Sequence, residues 1–507
     1  MSLRTSDQMM VYNALDCAVT WQCADGFFSE IEDGYRSTYD HTIDLNGPLM
    51  YMMTRGIRVD HDRLQDTNTK VTAQLAQLEK DITERCGRWV NPNSPKDVGA
   101  YFYIEKGIPP YTKYNKKTGK SAITTDDKTL QRIFRGTSAR KGMYEAKLMQ
   151  NYRGLRKLKG TYLDIVFDKD NRLRCSYNPR GTKFGRLSSS KTIFGTGMNL
   201  QNLPEEFAGF LCSDPGKIFI SLDKAKAEWV VVAYESGDAS MINAIESGVD
   251  VHAYTASQMF KIPIDIINFE NQIIGHSNDA EEIARKRKGI RELDPYRTGW
   301  LPRTTSLRQC GKKSNHGLNY DEKYKMFALT NEIGEKEAKV IVDFYHSIYP
   351  GIKQWYERIQ SKLGESRTLT NCFGRKCRFL DRWGDDLFKA AYSFLPQSTV
   401  GEIVNRGMVE IYNSTDGVFN DWEIMRQVHD DIYLQAPDGS STRLADGIKK
   451  ASDMLNPTLT ASGRNYTIGT DCKIGYSLDR MVEIDLKTPG LEERIREAIN
   501  ELQRQNV

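Results

Sequence analysis

A chain of 507 residues exceeds what one hydrophobic core usually organises, so two or more packed lobes with room for a cleft between them are expected. Lys plus Arg (71) barely outnumber Asp plus Glu (67), and the net charge of +4 neither demands nor excludes a nucleic acid partner. Nine cysteines without a CxxC pair argue against a disulfide framework or a zinc site, and no apolar run approaches a membrane span or a signal peptide, so a soluble cytoplasmic protein is expected.

In chain order, Leu64, Val71, Leu75, Leu78 and Ile82 repeat at the spacing of one helix face, and Gly87 marks a stop, which predicts a long helix over 62–86. The stretch from Asn91 to Asp127 mixes turn residues with lysines and reads as irregular surface. KIFISLD at 217–223 is a β-favouring run that ends in Asp223. Residues 238–360 read as mostly helical, with a charged insert from Asn278 to Asp294. EIMRQVHDDIYLQAP at 423–437 reads as a tight hairpin with Asp430 and Asp431 at its tip. Past Asp479, Leu491, Ile495, Ile499 and Leu502 mark an amphipathic segment that packs on the body.

Two groups of residues carry chemistry. Adjacent strands bring Asp223 close to Asp430, and like-charge repulsion there is relieved by cations; magnesium suits carboxylate and phosphate oxygens. Taken alone, acidic residues in a turn are ordinary solvated turn formers. In RQCGKKSNHGLNYD, Arg308, Lys312, His316 and Tyr320 recur at every fourth position, which on a helix makes a stripe about 18 Å long. That length matches an extended nucleoside triphosphate. The competing reading is a charged outer face; Gly317 inside the segment and the aromatic groups on the cationic face weigh against it.

Together these segments resemble the three motifs of family A DNA polymerases, in order. DKAKAE at 223–228 is similar to motif A, RQCGKKSNHGLNY to motif B, and VHDDIYL at 428–434 to motif C. KLKGTYLD, FGRLSSS, NLQNLP, VDVHAYTA, YPGIKQW, NCFGRKCRF and LPQSTVGEI resemble further landmarks, so the resemblance runs from about Asn46 to Ser477. It implies an α+β right-hand fold: a palm of antiparallel sheet plus helices, helical fingers and a helical thumb. It divides the chain into 1–45 (an exonuclease-domain remnant or N-terminal segment), 46–170 (thumb and palm entry), 171–237 (palm with motif A), 238–360 (fingers with motif B), 361–480 (palm with motif C) and 481–507 (a C-terminal helical extension).

The resemblance also implies roles. Asp223 and Asp430 hold two Mg2+ ions, replaceable by Mn2+, with the Lys224 carbonyl as a further ligand and Asp431 in support. Arg308, Lys312 and His252 grip the triphosphate, Lys312 protonates the leaving pyrophosphate, and Tyr320 packs beside the template base. Arg186 and Gln397 contact the primer-template minor groove, with His429, Asn93 and Lys96 as further DNA contacts in the hairpin and the thumb. Glu228 excludes a 2′-hydroxyl and so favours deoxynucleotides. Implied partners are primer-template DNA, dNTPs, and a separate exonuclease or replisome proteins, around a monomer of bacterial or phage origin. A single-subunit RNA polymerase and a non-catalytic DNA-binding scaffold are the rival readings.

Several positions depart from the family pattern. Asp431 replaces a Glu, Lys226 a Gln, and Asp321 the Gly after the motif B Tyr. His316 replaces a Phe or Tyr, and either hydrogen-bonds Glu228 or simply fills the aromatic slot. Residues 258–303 exceed the usual connection, and the ARKRK run within them is read as a solvated face or a contact with template or partner. YNALD at 12–16 resembles the last exonuclease motif without an upstream Asp-x-Glu, so no proofreading is expected from this chain.

Overall fold

A computed structural model describes residues 5–505 apart from 32, 116–118, 137–139, 276, 278, 297–300 and 332. Its centre is an eight-stranded antiparallel sheet. The strands run in the order Glu423–Val428, Asp431–Pro437, Lys217–Lys224, Thr470–Ser477, Leu211–Cys212, Ile57–Val59 and Arg172–Leu173, and Arg480–Ile484 pairs with Thr470–Ser477. Alternation along the three middle strands explains the layering, since successive side chains point to opposite faces. Ile220, Leu222, Ile432, Leu434, Cys472 and Ile474 are fully buried on one face. Burying each such aliphatic side chain contributes about 1.5–3 kcal/mol. At one end of the other face Ser221, Asp223, Asp431, Tyr433, Asp471 and Lys473 form a polar floor, and beyond them Phe219 and Gln435 on that face are buried.

The helix predicted over 62–86 spans His61–Cys86, opened by the Asp60 carboxylate accepting the Arg63 amide and closed by Gly87 in the left-handed region. It packs against Tyr144–Leu158. The Asn91–Asp127 stretch departs from the expected irregular surface. It holds the helix Pro95–Gly99, a π-helical turn Ala100–Glu105 and a hairpin of Thr112–Asn115 with Lys120–Ile123; Lys116 and Lys117 lie outside the described residues. Val98, Tyr101 and Phe102 have no exposed surface, and it is this apolar anchoring that orders the segment.

The 238–360 region is helical, as read. A second core gathers Trp229, Tyr345, Tyr349, Trp355 and Tyr392 beneath the helices Ala227–Ser236, Pro350–Ser366 and Asp385–Asn413. The C-terminal helix Leu491–Gln505 buries Ile495, Ile499 and Leu502 against the sheet side of the molecule, as its pattern predicted. At the other end, Thr5–Glu30 is helical with Met10, Tyr12, Leu15 and Trp21 exposed. All nine cysteines are free. No helix among the described residues is long and apolar enough to cross a membrane.

Candidate active site

The sheet register assembles the acidic centre. Asp223 stands directly opposite Asp431 on one side and Asp471 on the other. Directly opposed side chains in an antiparallel pair share a face, with Cβ atoms about 4.5–5.5 Å apart. Val428 pairs with Asp431, leaving His429 and Asp430 as a two-residue turn with His429 in the left-handed region at φ 54°. Only Asp430 therefore occupies the tip; Asp431 is the first residue of the returning strand and accepts both contacts of the Ser221 hydroxyl at 3.0 Å. The Gln427 side-chain amide closes the turn on the His429 carbonyl at 2.8 Å. Gln201 and Tyr177 bind Gln427, and the buried Arg426 donates to the Leu200 carbonyl, so the 176–201 segment braces the hairpin.

Crowding by the surrounding cleft, followed by repulsion from Asp430, Asp431 and Asp471, pushes the Asp223 carboxyl up to about 8. Asp430 is also raised, chiefly by burial. Asp431 is pushed up to about 6, again mainly by burial. Such a floor resists holding all its charges at once. Hard divalent cations fit it through oxygen donors alone. Among the described residues no three His, Cys, Asp or Glu side chains form a metal cage. The Lys224 amide donates to the Asp430 carbonyl at 3.1 Å. In an extended strand the carbonyl of a residue points to the same side as its amide, so the Lys224 carbonyl faces the hairpin. The Lys224 ammonium is turned away and buried, bonded to the carbonyls of Leu455 and Ile468 at 2.7 and 2.5 Å and to the side-chain oxygens of Asn456 and Thr470 at 2.5 and 3.1 Å.

Glu228, in the first turn of Ala227–Ser236, links this floor to the basic helix. Its carboxylate accepts from Arg186 on one oxygen and from the Tyr320 hydroxyl on the other. Burial and then Glu228 raise the Tyr320 phenol well above its usual value, which keeps it a neutral donor. No hydrogen bond joins His316 to Glu228. His316 lies instead beside His252, ring centroids 6.3 Å apart, so the hydrogen-bonded alternative read from the sequence does not form.

The basic helix is Leu307–Leu318, capped by the Ser306 hydroxyl. Arg308, Lys312 and His316 share its face, whereas Tyr320 lies in the turn beyond the helix and reaches back to Glu228. Asp321, where the sequence pattern leads one to expect Gly, does adopt a left-handed φ of 59°. The helix sits tightly on Val251–Phe260. A Cβ on Gly311 would come within 2.2 Å of the His252 carbonyl, so close an approach requires glycine. Arg308 pairs with Asp250 at 2.7 Å. Burial opposes the charge on Asp250, but Arg308 and the Ala253 amide outweigh it and hold the carboxyl below its ordinary value. Lys312 is exposed and forms no ion pair among the described residues.

His252 lies on Val251–Phe260, the helix that packs against the basic helix. It is buried, contacts the Asn315 amide at 3.0 Å, and burial pushes its pKa down to about 3, so it is neutral at physiological pH and offers a hydrogen bond rather than a charge. Lys226 is exposed at a left-handed residue heading the Glu228 helix. Gln397 is half-buried one residue after Pro396 in Asp385–Asn413. Asn93 and Lys96 stand exposed at the start of Pro95–Gly99, on the lobe built around the long helix rather than on the sheet floor. Sequence reasoning missed Asp471 and Asp250. The polar-apolar alternation of TDCKIG marks the first as floor-facing, and a helix cap before VHAYTA marks the second.

Residues 61–272 and 302–471 match the model of the family described as DNA polymerase family A. The thermostable DNA polymerase I of Thermus aquaticus is 24% identical over 448 residues, covering 84% of this chain and 47% of its own. DNA polymerase I of Pseudomonas aeruginosa is 24% identical over 473 residues, covering 88% and 46%. The chain thus spans about half the length of the curated relatives it matches. The fold is that of the POL domain of Pol1 from M. smegmatis, solved in complex with DNA primer-template and dNTP, with a TM-score of 0.69 at 21% identity over 86% of this chain and 70% of that one. The chain belongs to DNA polymerase family A.

Proposed function

We propose that this chain is a template-directed DNA polymerase that adds deoxynucleotides to a primer 3′ end by phosphoryl transfer with two divalent cations. The observation that carries the reading is the continuous path from the Asp223, Asp430 and Asp431 floor, through Glu228 and Tyr320, to Arg308 and Lys312. Two magnesium ions held by Asp223 and Asp430, with the Lys224 carbonyl in reach, would activate the primer hydroxyl and offset charge on the transferring phosphate. Asp431, braced by Ser221, keeps the hairpin end of the floor in place. Lys312 meets the phosphates and is placed to give a proton to departing pyrophosphate, and Arg308 exchanges Asp250 for phosphate oxygens. His252 adds a neutral donor, and Lys226 a cation at the edge. Glu228 closes the space beside the sugar 2′ carbon.

On binding nucleic acid, Arg186 leaves Glu228 and joins Gln397 at the minor groove, whose degenerate acceptors suit sequence-tolerant contacts. Tyr320 turns to the template base. His429, Asn93 and Lys96 contact the DNA strands, the exposed Lys96 through salt-dependent phosphate attraction. The thumb, palm and fingers follow the divisions at residues 46, 171, 238, 361 and 481. Tyr12 and Asp16 on the exposed N-terminal helix carry no proofreading in this reading. The chain works as a monomer with primer-template DNA and dNTPs in the cytoplasm, alongside replisome proteins. The decisive experiment is extension of a primed template with magnesium and either dNTPs or rNTPs. Extension with dNTPs that Asp223→Ala and Asp430→Ala each abolish, while DNA binding persists, supports the proposal; an inactive wild type, or equal use of rNTPs, refutes it.

A further inference from the structure

The entry to the basic helix is held by a segment that interrupts the family match between residues 272 and 302. Ile290 and Leu293 of that segment close a small separate core over Ile267 and over Leu307, the first residue of the basic helix. Two opposite charges are sealed beside it. Glu270, on the helix Ile264–Ile274, has no exposed surface, and Arg287, on Ala280–Lys288, has 9%. The Arg287 Nε donates to Glu270 at 2.7 Å, while its two terminal nitrogens donate to the carbonyls of Pro302 and Thr305. The second Glu270 oxygen accepts the Leu307 amide at 2.9 Å. Asn271 accepts from the Ser306 hydroxyl at 2.8 Å, and Ser306 caps the helix. Arg285 and Lys288 of the ARKRK run are exposed, as on the solvated face read from the sequence, but the run also has an inward side. Arg287 is committed inside, and Lys286 pairs with Glu282 at 2.9 Å.

A buried ion pair is a poor device for stability, because desolvation offsets the attraction and an apolar pair of similar volume often serves as well. What it supplies is direction: a planar guanidinium fork and a carboxylate define angles that apolar packing leaves loose. Here the fork and the carboxylate fix 302–307, the residues immediately before Arg308. We propose that Glu270 and Arg287 are positioning residues for nucleotide capture, holding the first turn of the basic helix so that Arg308 and Lys312 meet the triphosphate. The inference rests on the triphosphate-gripping role assigned to that helix above.

The test uses the full chain bearing Glu270→Gln, which keeps shape and an acceptor for Leu307, and a double variant, Glu270→Leu with Arg287→Met, which removes both charges at similar volume. Single-turnover incorporation, primer-template affinity and melting temperature are measured for each. The expected result is unchanged DNA affinity and, for the double variant, a melting temperature near wild type, with the dNTP Kd raised between about tenfold and a hundredfold. A double variant with both wild-type melting and wild-type dNTP Kd overturns the proposal. If the double variant fails to fold, Glu270→Gln decides, and an unchanged Kd there overturns it equally. Deuterium exchange at the 307–311 amides, read on nucleotide-free protein, separates the clamp from the polymerase reading. Exchange about tenfold faster in Glu270→Gln supports the clamp and unchanged exchange overturns it, even if the wild type captured no nucleotide and so refuted the role of the helix.

Discussion

Replacing Asp223 with Asn in the metal-free protein should make it more stable than wild type above pH 8. The Asp223 carboxyl is raised from 3.8 to about 8 by crowding in the cleft and by Asp430, Asp431 and Asp471. A carboxylate raised in the folded state costs stability: the cost is absent below the unfolded value near 4, grows as pH rises, and is complete above the folded value near 8. Two like charges about 5 Å apart repel by about 3 kcal/mol at an effective dielectric constant of 20 and by under about 1 kcal/mol at that of water. Asp223 is solvent-exposed, so screening places the cost near the lower end, about 1–2 kcal/mol. For a chain of this size that corresponds to about 1–2 °C in melting temperature. Calorimetry in EDTA between pH 4 and 9 would show the two proteins converging at the acid end and Asp223→Asn melting higher at pH 8.5. Magnesium added at pH 8.5 should raise the wild type more than the variant. A variant that melts no higher than wild type at pH 8.5 would refute a self-repelling floor.

Lys312→Ala should raise the dNTP KM and lower kcat together, a loss of about 1.5–3 kcal/mol for a charged hydrogen bond, or roughly tenfold to a hundredfold in kcat/KM by steady-state extension. Glu228→Ala should let ribonucleotides in and cut the dNTP to rNTP ratio of kcat/KM at least about tenfold in competition assays. Because His316 lies beside His252 and is not bonded to Glu228, that ratio in the wild type should be the same at pH 6 and pH 8. Gly311→Ala should either lose about 1–3 kcal/mol in urea unfolding or displace the basic helix from Val251–Phe260, seen as weakened dNTP binding, because its Cβ meets the His252 carbonyl backbone.

Much of the site was legible because it obeys short-range rules. The β-favouring run that ends in Asp223 and a tight hairpin at HDD could be read from local composition, although the turn holds His429 and Asp430 rather than both aspartates. The stripe was legible up to His316, but fourth-residue spacing carries no information on where a helix ends, so Tyr320 was read as helical. Asp471 escaped because its partnership with Asp223 joins strands about 250 residues apart. The burial of His252 escaped for a similar reason, because it is imposed by packing on Asn315 and the basic helix, about 60 residues further along the chain. The Asn91–Asp127 stretch shows the converse, since composition suggested solvent while Val98, Tyr101 and Phe102 had an apolar core to enter.

The small core around Ile267, Ile290, Leu293 and Leu307 is distinct from the two larger ones. A segment that satisfies its own apolar surface and charges can be lengthened, shortened or exchanged without repacking the sheet that holds the aspartates. The layout divides the labour of holding the site: the acidic floor is tied into strand pairings that span most of the chain, while the start of the basic helix is held by a compact module of its own.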